Sequence, residues 1–358
     1  MHAIGAEAQA VVDEARRTIL PAFLPAGTRG APEQLIFTSG GTEANNLALI
    51  GTATAKARNA GRTVIVGETE HASVISCAEH LSSLGYKVIY IPSPNGVWDM
   101  EKYLAALSGD VILVSAMLVN NETGAVNDIA RIAEAARRAN PDVTVHCDAV
   151  QGFLRLPQKL YSAADLVSVS AHKIGGPKGT GALFVGASAV KKRTLSPVIF
   201  GGGQEHGMRS GTENVIGIAG FGAAAGYFRT HGSEIAGRLS ELRRYAGERL
   251  SGLAPLGVRV NAPETERVAD HIISVTASGV RSETMLHFLS SRGVFVSSGS
   301  ACASNTKAKS HVLKSFGLSD IDADSTVRIS FGADTSKEDI DAACEAISDG
   351  MKTLQKRG

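Results

Sequence analysis

Leu166-Val-Ser-Val-Ser-Ala-His-Lys173 runs directly into Ile174-Gly-Gly-Pro-Lys-Gly179. The apolar, β-branched run predicts a strand, and the glycines and proline predict the turn that receives its last residue. A lysine at such a junction stands at the rim of a sheet. Lysine is costly to bury as a cation, and a desolvated amine loses its proton and becomes the nucleophile of Schiff-base chemistry. A solvated loop lysine can share this local sequence, because Lys is rarely buried. The choice between the two rests on what the rest of the chain brings to the same rim.

Outward from Lys173, short apolar runs alternate with longer amphipathic ones. Strands are predicted at Leu35-Phe37, Thr63-Val66, Lys87-Ile91, Val111-Ser115, Val143-Cys147, Leu166-Val169 and Ala182-Val185, with helices at Glu43-Lys56, His71-Leu84 and Ile129-Asn140. Strand and helix in alternation imply an α/β class: a mainly parallel sheet flanked by helices, with ligands at the carboxyl ends of its strands. After about Gly226 the texture changes. A charged helix near Ser233-Ser251 leads into Val258-Asn261, His271-Thr276, a helical Ser282-Arg292 and a helical Lys337-Leu354. We therefore expect a large α/β domain over residues 1–228 and a smaller α+β domain over 229–358.

Composition agrees with an ordinary enzyme. The 358 residues are 44% hydrophobic and 20% charged with a formal net charge of +1, which gives no electrostatic footprint for nucleic acid or a membrane surface. That length exceeds the size at which one core stops growing, so about two domains are expected. No run approaches the roughly 18 to 20 apolar residues that span a bilayer. Cys77, Cys147, Cys302 and Cys344 lack paired spacing, which points to reduced thiols and a cytoplasmic location. His71, Cys77 and His80 fall close in sequence, but His71 and Cys77 do not share a helical face as paired ligands would, so no metal site is expected.

The unusual residues gather at strand ends. Phe37-Thr-Ser-Gly-Gly-Thr-Glu-Ala44 runs from a strand through Gly40 and Gly41 into a helix whose first turn offers backbone amides and the Thr42 hydroxyl, a geometry that suits phosphate. By itself such a turn can be only a tight connection. Asp148 closes Val143-Thr-Val-His-Cys147-Asp, with Gln151 three residues on, and could alone be a cap or a metal ligand. His71 follows Gly67-Glu-Thr-Glu70. Together these residues match one cofactor. Pyridoxal 5'-phosphate requires a lysine for its aldehyde, an anion for its pyridinium nitrogen, phosphate donors and a ring across its face. Lys173, Asp148, the Gly40-Thr42 turn and His71 could supply all four, and the ring paired with Asp148 would stabilise a carbanion at the substrate's α-carbon.

The chain resembles the cysteine desulfurases of the iron-sulfur cluster assembly type, within the fold-type-I, class V aminotransferase superfamily. Seven ordered runs carry the resemblance: Phe37-Thr-Ser-Gly-Gly-Thr-Glu-Ala-Asn45, Glu68-Thr-Glu-His71, Val119-Asn-Asn-Glu-Thr-Gly124, Asp148-Ala-Val-Gln151, Ser170-Ala-His-Lys173, Gly201-Gly-Gly-Gln-Glu205 with Arg209-Ser-Gly-Thr212, and Ser297-Ser-Gly-Ser-Ala-Cys302. It implies that His71 stacks on the cofactor ring and assists proton transfer, and that Asp148 pairs with the ring nitrogen. It also implies that Gln151 and Asn121 lie near the phenolic oxygen. Gly41, Thr42, Ser170 and His172 would bind the phosphate, and Thr212 would reach the phosphate of a second copy, which implies a homodimer. Asn121 and Arg328 would meet the substrate carboxylate, a fit that guanidinium geometry favours independently.

Cys302 distinguishes desulfuration from transamination. Its surroundings, Ser297-Ser-Gly-Ser-Ala-Cys-Ala-Ser-Asn-Thr-Lys-Ala-Lys309, are small and polar, unsuited to a core, and Lys307 and Lys309 would favour a thiolate. The implied reaction converts L-cysteine to L-alanine and leaves a persulfide on Cys302 for a scaffold or other acceptor thiol, in iron-sulfur cluster or thio-cofactor synthesis. Cys77, Cys344 and Cys147 read as packing residues. Two departures from the family stand out: its opening Ala-Thr-Thr segment has no counterpart before His2-Ala-Ile-Gly-Ala-Glu-Ala8, and the lysines after Cys302 replace the usual apolar and acidic choices. Selenocysteine lyase, another class V reaction, or an inactive truncated fold serving as a binding protein are the alternative expectations.

Overall fold

The computed structural model describes residues 2–56, 61–298 and 310–355, and the chain divides into two compact units. The first comprises Met1–Ile91, Asp99–Val119 and Asn127–Gly232, and the second Pro92–Trp98, Asn120–Val126 and Ser233–Gly358.

The first unit is built on a seven-stranded sheet. In chain order its strands are β1 (Leu35–Thr38), β2 (Thr63–Gly67), β3 (Lys87–Ile91), β4 (Val111–Met117), β5 (Thr144–Asp148), β6 (Leu166–Ser170) and β7 (Gly181–Val185), arranged β1-β7-β6-β5-β4-β2-β3. The run from β6 to β3 is parallel, and β7 is antiparallel to both β6 and β1. β4 is buried along its whole length, as its unbroken Val-Ile-Leu-Val-Ser-Ala-Met sequence requires of a strand covered on both faces. The unit's helices are α1 (Ala3–Ile19), α2 (Gly41–Lys56), α3 (Ala72–Ser83), α4 (Met100–Ala106), α5 (Ile129–Ala139), α6 (Ala187–Lys192) and the start of α7 (Val215–Ser251). On α5, Ile129, Ile132, Ala133 and Ala136 form the buried stripe, and Asp128 caps its start by accepting the Arg131 N–H.

The second unit carries a four-stranded antiparallel sheet, β10-β11-β9-β8, from β8 (Val258–Val260), β9 (Ile272–Ala277), β10 (Ser297–Ser298) and β11 (Thr326–Ser330). Its helices are α8 (Ser282–Ser290), α9 (His311–Phe316), α10 (Asp320–Asp324) and α11 (Lys337–Leu354). Two stretches from far upstream belong to it through backbone and side-chain bonds. The Ala269 N–H donates to the Gly124 carbonyl at 2.8 Å, and Asn95 Nδ2 donates to Glu264 Oε2 at 2.8 Å.

Every strand and helix expected in the first 190 residues is present to within a few residues. Two differences are instructive. The helix expected at Ser233-Ser251 is the second half of α7, which begins at Val215, so the expected boundary at 228/229 falls inside one helix and the units divide at Gly232 and Ser233. Gly217, Gly220 and Gly222 lower helix propensity in that first half, yet packing needs them: a Cβ at Gly220 would stand 2.4 Å from Pro177 Cγ and one at Gly222 2.9 Å from Ala15. Secondly, residues 92–98 and 120–126 join the second unit, which a continuous division of the chain does not anticipate. Among the described residues, no helix is long and apolar enough to cross a membrane.

Candidate active site

The parallel strands deliver their carboxyl ends, Gly67, Ile91, Met117, Asp148 and Ser170, to one edge of the sheet. Because β7 is antiparallel to both its neighbours, Thr38 at the end of β1 arrives there too, opposite Gly181. Lys173, His71, the Gly40-Gly41 turn and Asp148 therefore share one rim of the first unit.

Asp148 ends β5 with only 4% of its surface exposed. Its Oδ1 accepts the Val150 N–H at 3.0 Å and its Oδ2 accepts Asn45 Nδ2 at 2.8 Å. Burial pushes this carboxyl up, while the Asn45 and Val150 donors and the charges of His71 and Lys173 act in the opposite sense. Two residues earlier on the same strand face, His146 is fully buried between Ser115 Oγ at 2.8 Å and Ser168 Oγ at 2.9 Å. Burial depresses it to about 3, so it is a neutral, structural imidazole. Glu70, the residue before His71, is buried as well. Its Oε1 accepts the Met117 N–H at 2.7 Å, and burial raises its carboxyl well above the ordinary range.

His71 caps α3, its Nδ1 accepting the Ser73 N–H at 3.1 Å and lying 2.8 Å from Ser73 Oγ. On the other side of the rim, α2 begins at Gly41, whose first-turn N–H groups have no intrahelical partner. Glycine is required at Gly41 because a Cβ would come within 2.6 Å of Val150 Cγ2, and at Gly181 because one would stand 2.6 Å from the Val169 carbonyl and 2.7 Å from the Gly40 backbone. This close approach brings the start of α2 against the end of β6, a Cβ at Gly41 standing 3.8 Å from Ser170 Cβ, and the next residue, Thr42, is exposed. There Ser170 is buried with Oγ 2.8 Å from His172 Nδ1, and desolvation and then the Lys173 and Lys178 charges lower the His172 pKa. Lys173 is half-buried in the single helical turn after β6, and its carbonyl accepts Arg155 Nε at 3.0 Å and Nη2 at 2.6 Å. Gln151 is half-buried in the turn that follows Asp148.

Thr212 is exposed in a loop of the first unit, beside Gly211, whose N–H donates to Gln204 Oε1 at 2.9 Å. In the same loop Arg209 Nε meets Glu43 Oε1 at 2.9 Å. Asn121 and Arg328 belong to the second unit. Arg328 Nη1 donates to the Asn121 carbonyl at 2.8 Å and Nη2 to Ser297 Oγ at 3.1 Å, so the guanidinium is held in place by protein groups. Next to Asn121, Glu122 is buried, accepts Ser310 Oγ at 2.6 Å, and is pushed up to about 7 by burial. Cys302 lies outside the described residues. Cys77, Cys147 and Cys344 are buried, and burial raises all three thiols, Cys77 and Cys344 to about 11.

Sequence reasoning missed Asn45, Ser73, Glu70 and Glu122 as site residues. Asn45, Glu70 and Glu122 sit inside the motifs named above, but nothing in a linear motif says which polar residue of a helix or turn faces a carboxylate 103 positions away, as Asn45 faces Asp148.

The donor set at the rim fits pyridoxal phosphate. An amine, a buried carboxylate for a ring cation, an imidazole, and amide and hydroxyl donors for a phosphate converge on one edge, and the carboxylate is held by donors alone. Residues 1–343 match the Aminotransferase class-V family. The chain is 38% identical over 99% of its length to the cysteine desulfurase IscS of Aeromonas salmonicida, covering 85% of that protein. Among solved structures, a NifS-like protein superposes with a TM-score of 0.86 at 32% identity, covering 98% of this chain and 90% of the other. SspA in complex with cysteine superposes with a TM-score of 0.75 at 30% identity, covering 92% and 89%.

Proposed function

Since the chain belongs to the cysteine desulfurase family of the class-V aminotransferases, we propose that it binds pyridoxal phosphate at this sheet edge and converts L-cysteine to L-alanine, passing the sulfur to Cys302. The observation that carries this reading is the buried, donor-held Asp148 carboxylate on the rim that also presents Lys173. When bound, the cofactor supplies an electrophilic carbon and an electron-withdrawing ring.

The chain's own residues divide the remaining work. Asp148 would hold a proton at the ring nitrogen, because a buried carboxylate favours an adjacent cation. His71 would lie across the ring. Lys173 Nζ would anchor the cofactor and move the substrate's α-proton. Gly41 and Thr42 at the start of α2, with Ser170 and His172, would bind the phosphate. Gln151 and Asn121 would hydrogen-bond the phenolic oxygen, and Asn121 and Arg328 would orient the substrate carboxylate. The sulfur step balances without an added oxidant. The Cys302 thiolate attacks the substrate sulfur, the carbon–sulfur bond breaks as the sulfur–sulfur bond forms, and the carbon takes a proton to become the alanine methyl group.

A homodimer accounts for Thr212, which would reach a second copy's phosphate. Phe200 at 79% and Ile216 at 86% exposure flank its loop in sequence and suit an apolar interface. The sulfur acceptor would be a thiol on an iron-sulfur scaffold or a related carrier. Three buried thiols suit a reducing, cytoplasmic setting.

The test is alanine and sulfide release from L-cysteine by protein loaded with pyridoxal phosphate, in the presence of a thiol reductant. Wild type releases both in equal amounts. Lys173→Ala loses both and loses the visible absorbance of the bound cofactor, and Cys302→Ala loses both by at least about a hundredfold. Sulfide release unchanged in Cys302→Ala would refute the persulfide route and point to another class V reaction, selenocysteine lyase included.

A further inference from the structure

Between Asp148 and His71 runs a connected line of side chains. Asn45, on α2, is fully buried. Its Nδ2 group donates one hydrogen to Asp148 Oδ2 at 2.8 Å and the other to Ser73 Oγ at 2.9 Å. Ser73, itself buried, lies 2.8 Å from His71 Nδ1 through its hydroxyl, and its backbone N–H reaches the same nitrogen at 3.1 Å. The directions are forced. A carboxylate accepts only, so Asn45 must present its NH₂ to Asp148. Turning the amide over would set two oxygens against each other. Ser73 Oγ already accepts from Asn45, so its hydrogen is available to His71. His71 Nδ1 therefore accepts, and a neutral His71 carries its proton on Nε2.

Asn45 is not placed for its own satisfaction. Its Oδ1 is buried, and among the described residues no group donates to it. A buried amide left half-paired is unfavourable for folding alone, and such groups call for another explanation.

We propose that Asn45 and Ser73 form a positioning relay that fixes the Asp148 carboxylate and the His71 tautomer together, so that the ring-nitrogen partner and the stacking imidazole are set by one hydrogen-bonded unit. Both relay residues act through Asp148 and His71 and are positioning residues. The role rests on the reading of this rim as a pyridoxal phosphate site, but the geometry of the relay belongs to the protein itself.

The experiment reads His71 directly. In protein labelled with ¹⁵N-histidine and free of cofactor, with His71 identified by its absence in His71→Gln, the two-bond ¹H–¹⁵N pattern is expected to show an acceptor Nδ1 and a protonated Nε2. Asn45→Ala removes a side chain hydrogen-bonded to Ser73 and Asp148 and leaves both of the His71 Nδ1 partners in place, yet is expected to shift these resonances. Ser73→Ala keeps the backbone cap of α3 and is expected to shift them further. In the loaded enzyme each single variant is expected to lower kcat about tenfold with KM unchanged, a loss of the size seen when a metal-bound imidazole loses its outer hydrogen-bond partner. The double variant should be no worse than the poorer single one. The relay is overturned if His71 shows the opposite tautomer, if Asn45→Ala and Ser73→Ala leave its resonances in place, or if the two kcat losses multiply. If wild type fails to bind pyridoxal phosphate, the functional reading falls, while the histidine spectra still decide the relay.

Discussion

Glu122 shows how one buried carboxyl makes stability depend on pH. It belongs to Asn120-Asn-Glu-Thr-Gly124, where Asn120 Oδ1 accepts the Glu122 and Thr123 N–H groups at 2.9 and 3.0 Å and shapes the turn. Burial raises the Glu122 carboxyl from 4.5 to about 7, against the opposing pull of the Ser310 hydroxyl and the Arg328 charge. The folded state then holds a proton that the unfolded state has released between those two values. Its stabilising contribution is complete below about 4.5 and is lost as pH rises through about 7. The full span is on the order of 3 kcal/mol at 1.36 kcal/mol per unit. Glu122→Gln, which mimics the neutral acid, should gain melting temperature relative to wild type at pH 8 and not at pH 5. An equal difference at both pH values would refute this. Glu122 could be quoted from a motif, but its burial and its bond to Ser310 could not.

At the scale of elements, the loop that carries Arg209 and Thr212 is fastened to the sheet by a buried ion pair. Arg16 of α1 and Glu205 are both nearly inaccessible, with Nη2 and Oε1 2.8 Å apart. Glu205 Oε2 also accepts the Phe37 N–H of β1 at 2.8 Å, and Arg16 bonds the Leu35 carbonyl and lies over the Phe37 ring. One ion pair thus joins a helix, a strand edge and a loop far apart in sequence. Glu205 sits at φ 47°, a strained conformation for a residue with a side chain, held by these bonds. Glu205→Ala strands a buried guanidinium and should cost about 3 to 5 kcal/mol in denaturant unfolding. A loss under about 1 kcal/mol, typical of exposed pairs, would show that the pair is not effectively buried. In the sequence Glu205 is one letter of a motif, and the partner that explains it, Arg16, is 189 positions away.

At the scale of the whole molecule, the cysteines separate by environment. Cys77 packs with α2 residues in the core above the sheet, Cys147 is interior to β5, and Cys344 is buried on α11. Their raised pKa values and burial both oppose reaction with electrophiles. In a Cys302→Ser variant, a thiol reagent under native conditions should therefore label none of the three rapidly. In denaturant it should label all three, with rates that follow global unfolding. Rapid native labelling of any one would contradict the packing described for it.

The sequence alone was enough to determine the α/β class and most strand and helix positions of the first unit, and it singled out Lys173, Asp148 and His71 as candidates, because period, turn residues and a cofactor's chemical needs are local or compositional signals. It also indicated the resemblance that the family comparison bears out. Only the tertiary structure decided that α7 continues through its glycines, that residues 92–98 and 120–126 join the second unit, and that Asn45 and Ser73 stand between Asp148 and His71. Those outcomes depend on which faces meet across elements distant in the chain. Close packing at Pro177 and Ala15, and the need of a buried carboxylate for donors, are properties of that meeting and leave no periodic trace in the sequence.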